Sequence, residues 1–189
     1  MPILLSRRAF VLGAPLALAA CSADPVWAPD EAVNAATYRS GRPSALTLFT
    51  VKNTGSGNGA HTALLIDGSQ RVLFDPAGSF KADVIPERND VLFGFSPEAE
   101  QAYLSFHARR EFFVVVQTTA VPPAVAEQAL RLALTNGAVA KANCTRATSA
   151  IVRQLPGFES VRGSWFPNNL SDAFAEIPGV QTREVREND

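Results

Sequence analysis

Lysine is scarce in this chain: only three occur in 189 residues, and the net charge is −1. Without clustered Lys and Arg there is no footprint for a phosphate backbone, so nucleic acid is excluded as a general partner. Histidine is scarcer still, at positions 61 and 107. Two histidines and one free cysteine make no recognisable metal-ligand set, and no metal or cofactor is implied. Internal repeats, low-complexity tracts, and coiled-coil or collagen-like composition are also missing. The one glycine-rich stretch, 54–60, has no Lys-Ser/Thr ending and runs into a strand instead of a helix, so it is a poor phosphate cradle. What remains is ordinary for one soluble domain: 47% apolar and 19% charged residues, with enough chain to bury a core.

No apolar run is long enough to cross a bilayer. The longest near the start, residues 9–20, has twelve residues where a span needs about twenty. Behind Arg7-Arg8 it reads as an export signal covering 1–20. Leu18-Ala19-Ala20-Cys21 resembles the lipobox of bacterial lipoproteins, which implies lipidation of Cys21 as first mature residue. Ser6-Arg7-Arg8-Ala9-Phe10 resembles a twin-arginine signal. Arg7 and Arg8 are the only charges in 1–20, so the mature chain carries 15 basic against 18 acidic residues, net −3. Residues 21–44, rich in Ala, Pro, Asp and Ser, read as the lipidated cysteine and a tether, with Trp27 or Tyr38 able to pack back onto the fold. The expected setting is the bacterial cell envelope, facing the periplasm, with the lipid on Cys21 as membrane partner.

Cysteine is the most informative rarity. With Cys21 assigned to lipid, Cys144 has no partner in an oxidising compartment. Two readings stand: a small buried hydrophobe, or a reactive thiol. The residues around it favour the second. Asn143 suits an N-cap and Leu155-Pro156-Gly157 a stop, so 143–154 predicts a short helix opening at the cysteine. Amides and dipole at a helix start favour the thiolate, which is the nucleophile.

The domain proper is expected over 45–189. Alternation predicts strands at 45–51, 61–67 and 71–75, the last two joined by Gly68-Ser69 into a hairpin central in a sheet. If Ile66 opposes Gln70, His61 lies across from Asp75 on one face; a slip of one residue would separate them. Gly59, at the end of the glycine-rich loop, is a candidate for close approach to a substrate. A possible short strand covers 90–95, and Ser96-Pro97 caps a helix to about 108 with Ala99, Ala102, Tyr103 and Phe106 inward. His107 reads as a surface helix-end residue. Residues 111–118 form the strongest strand signal, Pro122-Pro123 opens a helix ending at Asn136-Gly137, and 170–176 is a further short helix. Trp165-Phe166 reads as core or cleft wall, and 181–189 begins with a possible edge strand.

A histidine opening a strand, an acid one hairpin later, and a distal Asn143-Cys144-Thr145 at a helix start resemble the circularly permuted branch of the NlpC-type papain-like cysteine hydrolase superfamily. The Asn-Cys start is similar to lecithin retinol acyltransferase relatives, and Asp75-Pro76-Ala77-Gly78 to bacterial envelope members. The resemblance covers about 45–180 and implies an α+β fold with an antiparallel sheet packed against helices. It also implies Cys144 as nucleophile, His61 as base and Asp75 as the acid that orients the imidazole. Asn143, Thr145 and Gly59 are then oxyanion or substrate-binding candidates. The expected activity is a lipid-anchored cysteine hydrolase or acyl-transfer enzyme, with a peptidoglycan peptide amide or an acyl-containing molecule as substrate. The alternative is a noncatalytic envelope binding or scaffold lipoprotein with a structural Cys144.

Overall fold

In the computed structural model, residues 23 and 25–187 are described. Cys21 and the export signal lie outside them. In chain order the elements are α1 (Asp30–Ala36), β1 (Ala45–Asn53), β2 (Gly59–Asp67), β3 (Arg71–Phe74), β4 (Glu87–Arg88), β5 (Val91–Leu92), α2 (Pro97–His107), β6 (Phe112–Ala120), α3 (Pro123–Thr135), α4 (Cys144–Val152), α5 (Pro167–Ala175) and β7 (Gln181–Val185). The seven strands form one antiparallel sheet in the order β4-β5-β3-β2-β1-β6-β7. The fold is α+β, one domain.

Side chains of a strand alternate between faces, and both faces here are covered. On one, Leu46, Leu48, Leu64 and Ile66 meet Val125 and Leu130 of α3, Ile151 and Val152 of α4, and Leu170 and Phe174 of α5. On the other, Phe49, Val51, Ala63, Leu65 and Leu73 meet Tyr103 and Leu104 of α2. The sheet is therefore the middle of three layers. The apolar character of β2 on both faces has its cause in this position between two helical layers.

The β2–β3 hairpin differs from the expected register. Asp67 faces Arg71, Ile66 faces Val72 and Leu64 faces Phe74, which leaves Gly68-Ser69-Gln70 as a three-residue loop. The shift from the Ile66–Gln70 pairing is two residues, not one. Two is the side-chain period of a strand, so His61 and Asp75 stay on the same face.

The described part of the segment expected as a tether, 21–44, packs against the domain. Residues 30–36 form α1, and Val33 is buried in the larger core. Trp27 bridges to Arg88 of β4, whose guanidinium lies 4.6 Å over the indole. A seven-residue helix with one buried apolar side chain has no periodicity to detect, and its order comes from docking. Of the two readings for Trp165 and Phe166, core or cleft wall, the first does not hold: they are 57% and 66% exposed. Arg146 instead covers Trp165, 5.1 Å from its ring centre.

Candidate active site

The ladder between β2 and β3 ends at Leu64↔Phe74, so His61, Thr62 and Ala63 have a paired neighbour on β1 only. The triad candidates meet at this gap. His61 shares a face with Ala63 and Leu65, the side of α2. Thr62 points to the other side, where its hydroxyl lies 3.3 Å from that of Thr145 and 3.5 Å from that of Thr148. Helix α4 thus docks on one face of the sheet while the imidazole lies on the other. Where β3 has left, the Cys144 sulfur at the tip of α4 reaches both the His61 ring and the Thr62 amide.

His61 Nε2 and Asp75 Oδ1 are 2.6 Å apart. A carboxylate accepts, so the ring donates from Nε2, and Nδ1 is left to exchange a proton with sulfur. The Tyr103 hydroxyl donates to the same Asp75 oxygen at 3.1 Å. Gly78 holds the carboxylate from behind. A Cβ at that position would lie 1.8 Å from Asp75 Oδ2, so only glycine leaves room.

Electrostatics follow from these contacts. Burial alone would push the His61 pKa down. Hydrogen bonds to Asp75 and Cys144, and the charge of both, overcome it and raise the value from 6.5 to about 10. Burial would raise the Cys144 thiol; the hydrogen bond and charge of His61, the Thr62 amide and the Thr145 hydroxyl bring it from 9.0 down to about 7. The two groups titrate as a pair. The charged form, thiolate beside imidazolium, is the favoured one between about pH 7 and about pH 10.

No family model, curated protein or solved structure matches this chain. The site must therefore be argued from its own geometry.

Asn143 does not cap α4 with its side chain. Its Nδ2 donates to Lys141 O at 3.0 Å, and its Oδ1 lies 3.5 Å from an Arg146 guanidinium nitrogen. The first amides of α4 therefore have no side-chain oxygen on them, and they stand with the Thr62 amide beside the sulfur. Thr145 is buried, its hydroxyl 3.8 Å from the sulfur and bonded to Thr62, so it holds the nucleophile from inside. Gly59 has another account than substrate approach. A Cβ there would lie 2.4 Å from that of Pro167 in α5, and close packing requires the glycine.

His107 is a further correction. It is half-buried, its ring stacked on that of His61 with centroids 5.9 Å apart and planes 9° from parallel, and 4.2 Å from Tyr103. Its Nδ1 donates to the Tyr103 carbonyl at 3.0 Å. Burial, with the His61 charge adding, lowers its pKa below 6.5 and keeps it neutral at pH 7. Both histidines, with Phe106, Phe112, Arg109 and the 77–79 turn, line a cavity of about 320 Å³ beside the His61 ring. Tyr103 and Thr62 are site residues that sequence reasoning did not single out. The one available signal was a tyrosine on an apolar helix stripe, because a buried hydroxyl needs a partner.

Among the described residues no group of three or more His, Cys, Asp or Glu could hold a metal ion. No helix among them is long and apolar enough to cross a membrane.

Proposed function

We propose that the protein is a cysteine hydrolase or acyl-transfer enzyme with Cys144 as nucleophile, His61 as base and Asp75 as the orienting acid. We further propose a permuted papain-like arrangement, anchored to the cell envelope through a lipid on Cys21. The observation that carries the reading is the chain of hydrogen bonds from the Tyr103 hydroxyl through Asp75 Oδ1 to the His61 ring, beside a sulfur at a helix start whose charge and that of the ring bear on each other. A buried structural thiol needs no such relay.

The chemistry uses each part once. The Cys144 thiolate attacks the carbonyl carbon of an amide or ester, and the carbonyl π electrons move to oxygen. In this reading the amides of Thr62 and of the first turn of α4 take that charge. As the tetrahedral species collapses, His61 Nδ1 gives its proton to the leaving nitrogen or oxygen and a thioester remains. Water, or an acceptor hydroxyl or amine, then attacks the thioester while His61 takes its proton, and the thiolate returns. A peptidoglycan peptide amide is the substrate we favour for an enzyme held at the periplasmic face; acyl-containing molecules are the second class.

The test is the rate of Cys144 alkylation by iodoacetamide against pH, with His61→Ala alongside. The expected wild-type curve keeps appreciable rate below pH 7, its inflection near the lowered thiol value of about 7. In His61→Ala the inflection moves to about 8.5, as for an ordinary thiol. A wild-type thiol that already titrates near 8.5 would overturn the enzyme reading and leave a noncatalytic binding lipoprotein.

A further inference from the structure

The mechanism makes no use of the turn between β4 and β5, yet that turn touches both halves of the site. Its two central residues are Asn89 and Asp90, with φ of 45° and 69°, between the pairs Arg88↔Val91 and Glu87↔Leu92. Two positive φ values suit the primed hairpin turns, where glycine is the preferred second residue. An aspartate there holds a left-handed backbone that glycine would adopt without strain.

The side chain supplies the reason. Asp90 Oδ2 accepts from the Val139 amide at 2.6 Å and Oδ1 from the Ala77 amide at 3.3 Å. Its main-chain oxygen accepts from the Asp75 amide at 2.8 Å. Ala77 belongs to the turn that presents Asp75; Val139 belongs to the loop that leads into Cys144. Both segments are strained in their own right, since Ala77 and Ala142 have φ of 54° and 64°. One carboxylate thus ties together two strained segments, one leaving the sheet after β3 and one joining α3 to α4.

We propose that Asp90 is a positioning residue of the Cys144–His61–Asp75 site. It fixes the separation between the Asp75 turn and the Cys144 loop, and through it the contact between imidazole and sulfur. This rests on the nucleophile reading above. A residue that merely stabilises its hairpin would behave differently, and the glycine variant separates the two roles. Asp90→Gly removes the carboxylate and relieves the turn; Asp90→Asn keeps one acceptor oxygen in the same turn.

The experiment is the alkylation profile of Cys144 in the full chain and in both variants, with thermal melting of each. The expected result for Asp90→Gly is a melting temperature unchanged or raised, together with a loss of reactivity at pH 6 of roughly 30-fold, as the inflection moves from about 7 to that of a free thiol. At pH 10 its rate should rejoin the wild type, and Asp90→Asn should lie between. An Asp90→Gly profile identical to wild type overturns the proposal, as does a loss of reactivity that tracks a fall in melting temperature. A wild-type thiol inert at pH 6 is a separate outcome, read before any variant, and overturns the nucleophile reading and this one with it.

Discussion

At the scale of single residues, the site is a set of groups that would each titrate differently if left alone. His61 is held protonated to about pH 10 and Cys144 ionised down to about pH 7. The linkage has a definite sign. The raised histidine favours the folded state fully below its unfolded value of 6.5 and loses that contribution as pH rises through about 10. The lowered cysteine contributes above the usual value of a thiol, about 8.5–9.0, and loses that contribution as pH falls through about 7. Between pH 7 and 9 the folded pair keeps one proton on the imidazole and the unfolded pair keeps one on sulfur, so the two slopes cancel. Denaturant midpoints of the reduced wild-type protein should therefore contain no slope from this pair in that window. In Cys144→Ala, with His61 still bonded to Asp75, stability should fall as pH rises above 6.5. A second expectation concerns Gly78. Gly78→Ala must displace the Asp75 carboxylate, because the new Cβ would lie 1.8 Å from it. That change should destabilise by about 1–3 kcal/mol, and NMR titration should find the His61 pKa lowered toward 6.5 from about 10.

At the scale of elements, the parts that sequence pattern reveals are those that bury a repeating face. β1, β2, α2, β6, α3 and α4 carry alternation or helical spacing, with Ser96 capping α2 through the Ala99 amide at 3.3 Å. That His61 and Asp75 come to one face and that a helix opens at Cys144 was legible for the same reason, from strand parity and a helix-start pattern. Other features were not legible because their cause is non-local. Phe106, expected inward, is 43% exposed, and Leu104 is buried in its stead, because the site cavity opens beside Phe106 and His107. Asn143 has the composition of a cap, yet its amide turns to Lys141. The packing of α4 on β2 also separates two functions of Thr62, whose hydroxyl bonds Thr145 and Thr148 and whose amide serves the sulfur. Thr62→Val keeps the amide. It should lower stability by about 1–2 kcal/mol, by leaving two buried hydroxyls short of a partner, and leave the alkylation inflection of Cys144 near its wild-type position. A large upward shift would mean that the hydroxyl, not the amide, supports the thiolate.

At the scale of the whole molecule, a single sheet carries Asp75 and His61 on one face and receives Cys144 from the other. The N-terminal segment is part of this body from Trp27 onward, with Val33 in the core and Arg71 donating its amide to Tyr38 O at 2.8 Å. Val33→Asp, which buries a charge among Leu and Phe side chains, should lower the melting temperature markedly, as is usual for an unpaired charge in a core. For the proposed anchor, Cys21→Ser should move the protein from the membrane to the soluble fraction of cells. The alkylation profile of Cys144 should not change with it, since the triad contacts lie within the described domain.

The gap beside β2 also determines when the thiol becomes reactive. Sulfur and imidazole belong to different layers, α4 and the sheet, so a chain whose α4 has not yet docked on β2 carries an ordinary thiol that is protonated at neutral pH. Thiolate chemistry, and with it vulnerability to oxidants, begins only when α4 docks on the sheet. Reactivity of Cys144 toward a soft electrophile would then be a clock for the completion of folding, read at one atom.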